Sequence, residues 1–191
     1  MKLITKDSLI NDISNKKIEN IYVFFGEDEF KKLEIINQIK STLSQTEVFI
    51  YDSKNFDREL FLNDISSNSF FSSKKIIFLR NFNSFKKDDK EFVKKNLDKI
   101  SQTTILIINF EGEVKIKEIE EELNGINSFK ICVIRIDPPT PSEIKTYLKE
   151  ALKDKGKTID EKSLIWLSEN INSYAALKNE TEKILTYLGS K

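Results

Sequence analysis

The chain has 191 residues, 39% hydrophobic and 32% charged, with only five Gly and three Pro, which is the composition of a folded, element-rich protein long enough for a large domain plus a small appendage. Lys plus Arg balance Asp plus Glu at 31 each, so no overall field draws the chain onto DNA or an anionic membrane. There is no histidine, which excludes histidine general-base chemistry, the Ser-His-Asp triad and histidine-rich metal sites; the single cysteine, Cys132, excludes a disulfide framework and a cysteine zinc site and reads as an inert core thiol.

Met1 to Asp7 lacks an apolar segment of signal length, and no later run approaches membrane-spanning length, so a cytoplasmic location is expected. Five apolar runs then follow, at Ile21 to Phe25, Val48 to Tyr51, Lys75 to Leu79, Thr104 to Asn109 and Ile131 to Ile136. Their unbroken apolar character predicts strands covered on both faces, the habit of parallel sheets. Helices are predicted between them at about 28–43, 57–66, 86–99 and 114–124. The first carries Phe30, Leu33, Ile36, Ile39 and Leu43 at spacings of three or four, a stripe that can face a sheet. Alternation of strand and helix predicts a doubly wound α/β domain with a five-stranded parallel sheet over residues 1–137.

All three prolines fall at Pro138, Pro139 and Pro141, which marks a domain boundary. Beyond it, residues 138–191 carry helical patterns at about 141–154, 160–170 and 173–188, with Thr158 or Asp160 as a cap for the second. Leu164, Trp166, Leu167, Tyr174, Leu177, Ile184 and Leu188 are the expected core of a three-helix unit.

A strand ending in Gly26 and running into a helix is where a phosphate-binding loop would lie. Tested against G-x-x-x-x-G-K-[ST] from Gly26, only Lys32 matches: Lys31 stands for the second glycine and Leu33 for the hydroxyl. Glu27, Asp28 and Glu29 would repel phosphate while favouring the helix dipole, so the segment reads as a charged helix start. The neighbouring strand ends in Arg80-Asn81 instead of a magnesium-binding carboxylate, and Asn109, isolated at a strand end, reads as a turn former. No catalytic residue, cofactor or metal is expected. In Ser67-Asn68-Ser69-Phe70-Phe71-Ser72-Ser73, two adjacent rings sit in a small polar stretch. Either they fold back over the core or they project as an apolar wedge into a partner's pocket. Two other readings remain open: an ATPase with a degenerate loop built on Gly26 and Lys32, and a single-stranded DNA surface in which Lys74, Lys75, Lys86 and Lys87 flank Phe82 and Phe85.

The order of motifs resembles one family. Tyr22-Val23-Phe24-Phe25-Gly26-Glu27-Asp28-Glu29-Phe30 is similar to the opening of the bacterial DNA polymerase III delta subunit. Ser69-Phe70-Phe71 before Lys74 to Asn81 resembles that family's small-apolar-Phe element and a strand ending in Arg-Asn. Pro138 to Tyr147, Gly156 to Asp160 and Asn172 to Ile184 resemble its second domain. The resemblance implies an AAA+-like domain without Walker motifs, a helical lid domain, and no catalysis by the chain itself. It also implies binding of the beta sliding clamp through Ser69, Phe70 and Phe71, which favours an opened ring during replication. ATP is then left to partner subunits, the gamma/tau and delta prime subunits are further partners, and DNA is met only indirectly or weakly. Ala175 stands where ATP-binding relatives carry a second-domain arginine. The chain ends at Gly189-Ser190-Lys191 without the family's third, collar-forming domain, so weakened assembly with the other loader subunits is expected.

Overall fold

The structure is a computed structural model that describes residues 1–43, 46–68, 74–124, 126 and 130–189. They divide into two compact units, Met1–Ile136 and Asp137–Lys191.

In the first unit the chain runs β1 (Lys2–Ile4), α1 (Lys6–Ser14), β2 (Ile21–Phe25), α2 (Glu29–Thr42), β3 (Glu47–Tyr51), α3 (Arg58–Ser66), β4 (Lys75–Leu79), α4 (Lys87–Lys95), β5 (Thr104–Asn109), α5 (Ile116–Glu122) and β6 (Ile131–Arg135). The strands form one sheet in the order β1-β6-β2-β5-β4-β3, and every pairing is parallel. Successive side chains on a strand point to opposite faces, and both faces are buried. Ile21, Val23, Ile77, Leu79, Leu106 and Ile108 pack with Phe61, Ile65 and Val93 of α3 and α4 on one face. Tyr22, Phe24, Ile76, Phe78, Ile105 and Ile107 pack with Leu9, Ile13, Ile35 and Ile39 of α1 and α2 on the other. Helices on both faces explain why the central strands read as unbroken apolar runs.

The sheet has six strands rather than the expected five. The additional one, β1, is a three-residue edge strand paired with β6, and Leu3 stays exposed, so it leaves no hydrophobic signal of its own. The buried face of α2 keeps Ile36 and Ile39 of the stripe read from the sequence, with Leu43 packed against the core, but not its N-terminal part. It consists of Lys32, Ile35, Ile36 and Ile39, whereas Phe30 and Leu33 are exposed. In the first turns the inward positions are held by Lys32 and Ile35, and a hydrophobic pattern passes over the lysine. The predicted helix over 86–99 ends at Lys95, where the Asn96 side-chain amide donates to the Phe92 carbonyl at 2.7 Å and a separate short turn covers Leu97–Lys99.

The second unit contains α6 (Pro141–Lys153), α7 (Glu161–Asn170) and α8 (Tyr174–Leu188). Thr140 and Glu143 form a reciprocal capping box and Pro141 occupies the first helical turn, so the start of α6 is written locally. Asp160 and Ser173 cap α7 and α8. The core is Ile144, Leu148, Leu164, Ile171 and Leu177, with Leu167 and Tyr174 packed against it. Of the residues expected there, Trp166 and Leu188 are exposed and Ile184 is only partly covered. Ile144 and Leu148 of α6 are buried in the core as well.

Candidate functional site

The carboxyl ends of β2 and β5 meet where the strand order reverses, the position at which open α/β sheets bind ligands. Here the chain's own side chains fill it. Gly26 adopts a φ of 101°, open to glycine, and turns the chain from β2 towards α2. Asp28 caps α2 by accepting from the Lys31 backbone N–H at 2.8 Å, while its own N–H donates to the Ile136 carbonyl. Lys32 is fully buried, and its Nζ donates to Glu29 Oε1 at 2.6 Å and to the Phe110 carbonyl at 2.9 Å. Asn109 Nδ2 donates to Glu29 Oε2 at 3.0 Å, so Asn109 holds a carboxylate and is more than a turn former. The one lysine that matched a phosphate-binding loop is thereby committed to a carboxylate and a backbone carbonyl.

Next to it, β3 and β4 end in a second polar pair: Arg80 donates to Asp52 Oδ2 at 2.6 Å, and Asn81 takes a left-handed conformation with φ of 52°. The Lys54 backbone N–H and the Arg80 guanidinium hold the Asp52 carboxyl below its ordinary range.

Ser69, Phe70 and Phe71 lie outside the described residues; the residues that flank them, Ser67, Asn68 and Lys75, take part in a polar network. Lys75, at the start of β4, is buried, and its Nζ donates to Ser67 Oγ at 2.9 Å. Ser101 Oγ donates to Asn68 Oδ1 at 2.9 Å, and the Lys75 N–H donates to the Thr103 carbonyl at 2.9 Å. Desolvation pulls the Lys75 ammonium below its ordinary pKa, opposed by the carboxylates of Asp64 and Glu47. Tyr51 donates to Asp64 Oδ2 at 2.5 Å, and burial followed by that hydrogen bond raises the phenol pKa. No local sequence signal marks this network, because it joins β3, α3 and β4.

The single-stranded DNA surface is corrected by the structure. Phe82 and Phe85 are buried in the core beside Phe56 and Phe110, so neither ring offers a face to a base. Lys75 is turned inward as well and Lys74 is half-buried, so the exposed Lys86 and Lys87 have neither Phe82 nor Phe85 as a platform. Sequence reasoning also missed an apolar groove in the second unit, where Ile159, Ile165, Trp166, Ile184 and Leu188 line an open surface between α7 and α8.

Among the described residues, no cluster of three acidic or cysteine side chains is placed to hold a metal, and no helix is long and apolar enough to cross a membrane.

The fold is similar to that of the Bacillus subtilis DNA clamp loader delta protein (YqeN), with a TM-score of 0.67 at 12% identity over 96% of this chain and 57% of that one. The AMPPCP-bound DnaA from Aquifex aeolicus gives a TM-score of 0.60 at 13% identity, over 96% of this chain and 61% of that one. The Thermotoga maritima RuvB Holliday junction branch migration motor gives 0.58 at 12% identity, over 96% and 63%. The chain therefore spans less than two thirds of the length of each, and the likeness is one of fold, of the AAA+-like α/β kind. No curated protein matches it by sequence. The family model for the DNA polymerase III delta subunit matches residues 22–135, more than half of the sequence and nearly the whole sheet. The chain belongs to the DNA polymerase III delta subunit family.

Proposed function

We propose that this chain is the clamp-engaging part of a clamp loader: a non-catalytic, cytoplasmic interaction module that binds the beta sliding clamp through Ser69, Phe70 and Phe71. The observation that carries this reading is the family match over residues 22–135, a span that includes both rings. Two adjacent phenyl rings suit the role because they bury a large area at low rotamer cost. The switch point supports a division of labour: Lys32 is held by Glu29 and Phe110, and ATP is handled by the gamma/tau partner subunits. Delta prime is a further partner, and DNA is met through the clamp. Residues 1–137 act as the clamp-facing AAA+-like domain and residues 138–191 as its helical lid.

Ring opening follows from differential affinity. A ligand that binds closed and open rings equally shifts nothing, however tightly it binds. Moving a ring from about 1:99 open to 99:1 needs roughly 10⁴-fold tighter binding to the open form, about 5.5 kcal/mol. That difference has to come from contacts completed only when the ring interface parts.

Surface plasmon resonance with the purified chain over its immobilised cognate clamp tests the reading. Wild type is expected to bind, and the Phe70→Ala plus Phe71→Ala variant, shown to be folded, is expected not to. Equal binding by the two would remove the rings from the interface.

A further inference from the structure

The outward face of α7 breaks rules that its inward face obeys. Leu164 and Ser168 are buried and Leu167 packs against the core of the second unit, whereas Lys162, Ile165, Trp166 and Glu169 are exposed. At 3.6 residues per turn these four fall within one stripe roughly 100° wide. Ile165 is 40% and Trp166 62% exposed, two adjacent large apolar side chains where a solvated helix face carries polar ones. The charges beside them are also set against the helix. Glu161 suits the positive end of the macrodipole and reaches Lys149 of α6, but Lys162 lies in the first turn and Glu169 in the last, the reverse of what the dipole favours. Among the described residues, neither Lys162 nor Glu169 takes part in an ion pair. Local rules broken together on one exposed face point to something the isolated helix lacks.

The order of the four residues says what would supply it. Lys162, Ile165, Trp166 and Glu169 are self-complementary when the helix is reversed. In an antiparallel pair of α7 helices with a two-fold axis between residues 165 and 166, Lys162 lies level with Glu169 of the second copy, and Ile165 lies level with its Trp166. The symmetry makes each of these contacts twice. It also brings Lys162 to the negative end of the opposing helix and Glu169 to its positive end, which removes the conflict with the dipole. Beside α7, the groove lined by Ile159, Ile184 and Leu188 continues the apolar surface and offers a seat for the indole of the second copy.

We propose that the exposed face of α7 is an interface with a second copy of this chain, centred on Ile165 and Trp166 and closed at both ends by Lys162 to Glu169 pairs. The proposal is independent of the reading of Phe70 and Phe71. A single ten-residue helix with its groove falls short of the roughly 1,200 Å² buried by stable interfaces, so the pairing is weak and forms above micromolar concentration.

Sedimentation equilibrium of the full chain, loaded from micromolar to millimolar concentration, tests it. Wild type is compared with Lys162→Glu, Glu169→Lys, an equal mixture of those two, the double variant, and Trp166→Ala. All the substituted residues are exposed, so unfolding midpoints in urea are expected to stay close to wild type. Wild type should move from the mass of one chain, 22.3 kDa, towards twice that mass, with Trp166 emission shifting to the blue as it does so. Each single charge reversal sets like charges together at both ends and should hold the chain as a monomer. The mixture restores opposite charges at both ends and should dimerise, as should the double variant. Trp166→Ala, which removes the centre and no charge, should remain a monomer. A wild-type mass of one chain at every concentration would leave this face to a different protein and overturn the proposal. So would single variants that dimerise as wild type does, since the interface would then lie elsewhere, and so would a mixture that fails to recover, since the pairing of Lys162 with Glu169 would then be wrong.

Discussion

Glu29 Oε1 sits 2.6 Å from the Nζ of Lys32, whose side chain is fully buried at the carboxyl end of the sheet. Truncating Glu29 leaves that ammonium with a weaker set of acceptors, so Glu29→Ala should lower stability by about 1.5–3 kcal/mol, the range for a hydrogen bond to a charged group. Urea denaturation measures it, and an unchanged midpoint would show that the pair contributes nothing.

Asn109 is buried and donates to the other oxygen of the same carboxylate. Asn109→Asp would set a second carboxylate beside Glu29 where both cannot ionise cheaply, raising the folded-state pKa of the pair above its unfolded value. A raised carboxyl pKa contributes stability at low pH that is lost as pH rises through the folded value. The variant should therefore be weaker than wild type by roughly 2–4 kcal/mol at neutral pH and approach it near pH 4. Unfolding midpoints between pH 4 and 8 give the profile, and a deficit independent of pH would contradict the like-charge explanation.

Asp52 and Asp160 have the opposite sign. The Lys54 N–H and Arg80 lower the pKa of Asp52, and the hydroxyl and N–H of Ser163 lower that of Asp160. A depressed carboxyl pKa contributes stability that is present above the unfolded value, near 3.8, and lost as pH falls through the folded one. Asp52→Asn plus Asp160→Asn should flatten the acid limb of the stability curve below that pH and leave its shape at neutral pH unchanged. Acid titration of the circular dichroism signal reads this directly.

Trp166, the single tryptophan, is 62% exposed, whereas Leu164 two residues earlier is fully buried in the core of the second unit. Native emission should be that of a hydrated indole and change little on unfolding. Trp166→Ala should stay within about 0.5 kcal/mol of wild type, the ordinary range for surface substitutions. Leu164→Ala should cost about 2–5 kcal/mol through the cavity it opens. A blue-shifted native emission would mean that the indole is covered.

The central strands were legible in the sequence because burial on both faces makes Ile21 to Phe25 and Thr104 to Asn109 continuous apolar runs. The start of α6 was legible because Thr140, Pro141 and Glu143 carry their own capping chemistry. Periodicity gave no warning of β1, whose Lys2 and Leu3 are exposed at the sheet edge, nor of the inward turn of Lys32 on α2. Hydrophobicity alone places Trp166 in the core of the second unit, although its side chain is exposed and the core is Ile144, Leu148, Leu164, Ile171 and Leu177. The aromatic pair was visible as composition, but the hydrogen bond from Lys75 to Ser67 joins a strand start to a helix end and has no one-dimensional signature. Asn109 reads as a turn former in the sequence for the same reason, since its partner Glu29 lies on a different element.

The most direct measurement compares the affinity of the chain for its cognate sliding clamp with that for the same ring held shut by cross-links across its subunit interfaces. The account predicts weaker binding to the locked ring, with the difference lost when Phe70 and Phe71 are both alanine. Equal affinity for the two rings would contradict ring opening by this chain, because no free energy would be left to favour the open form.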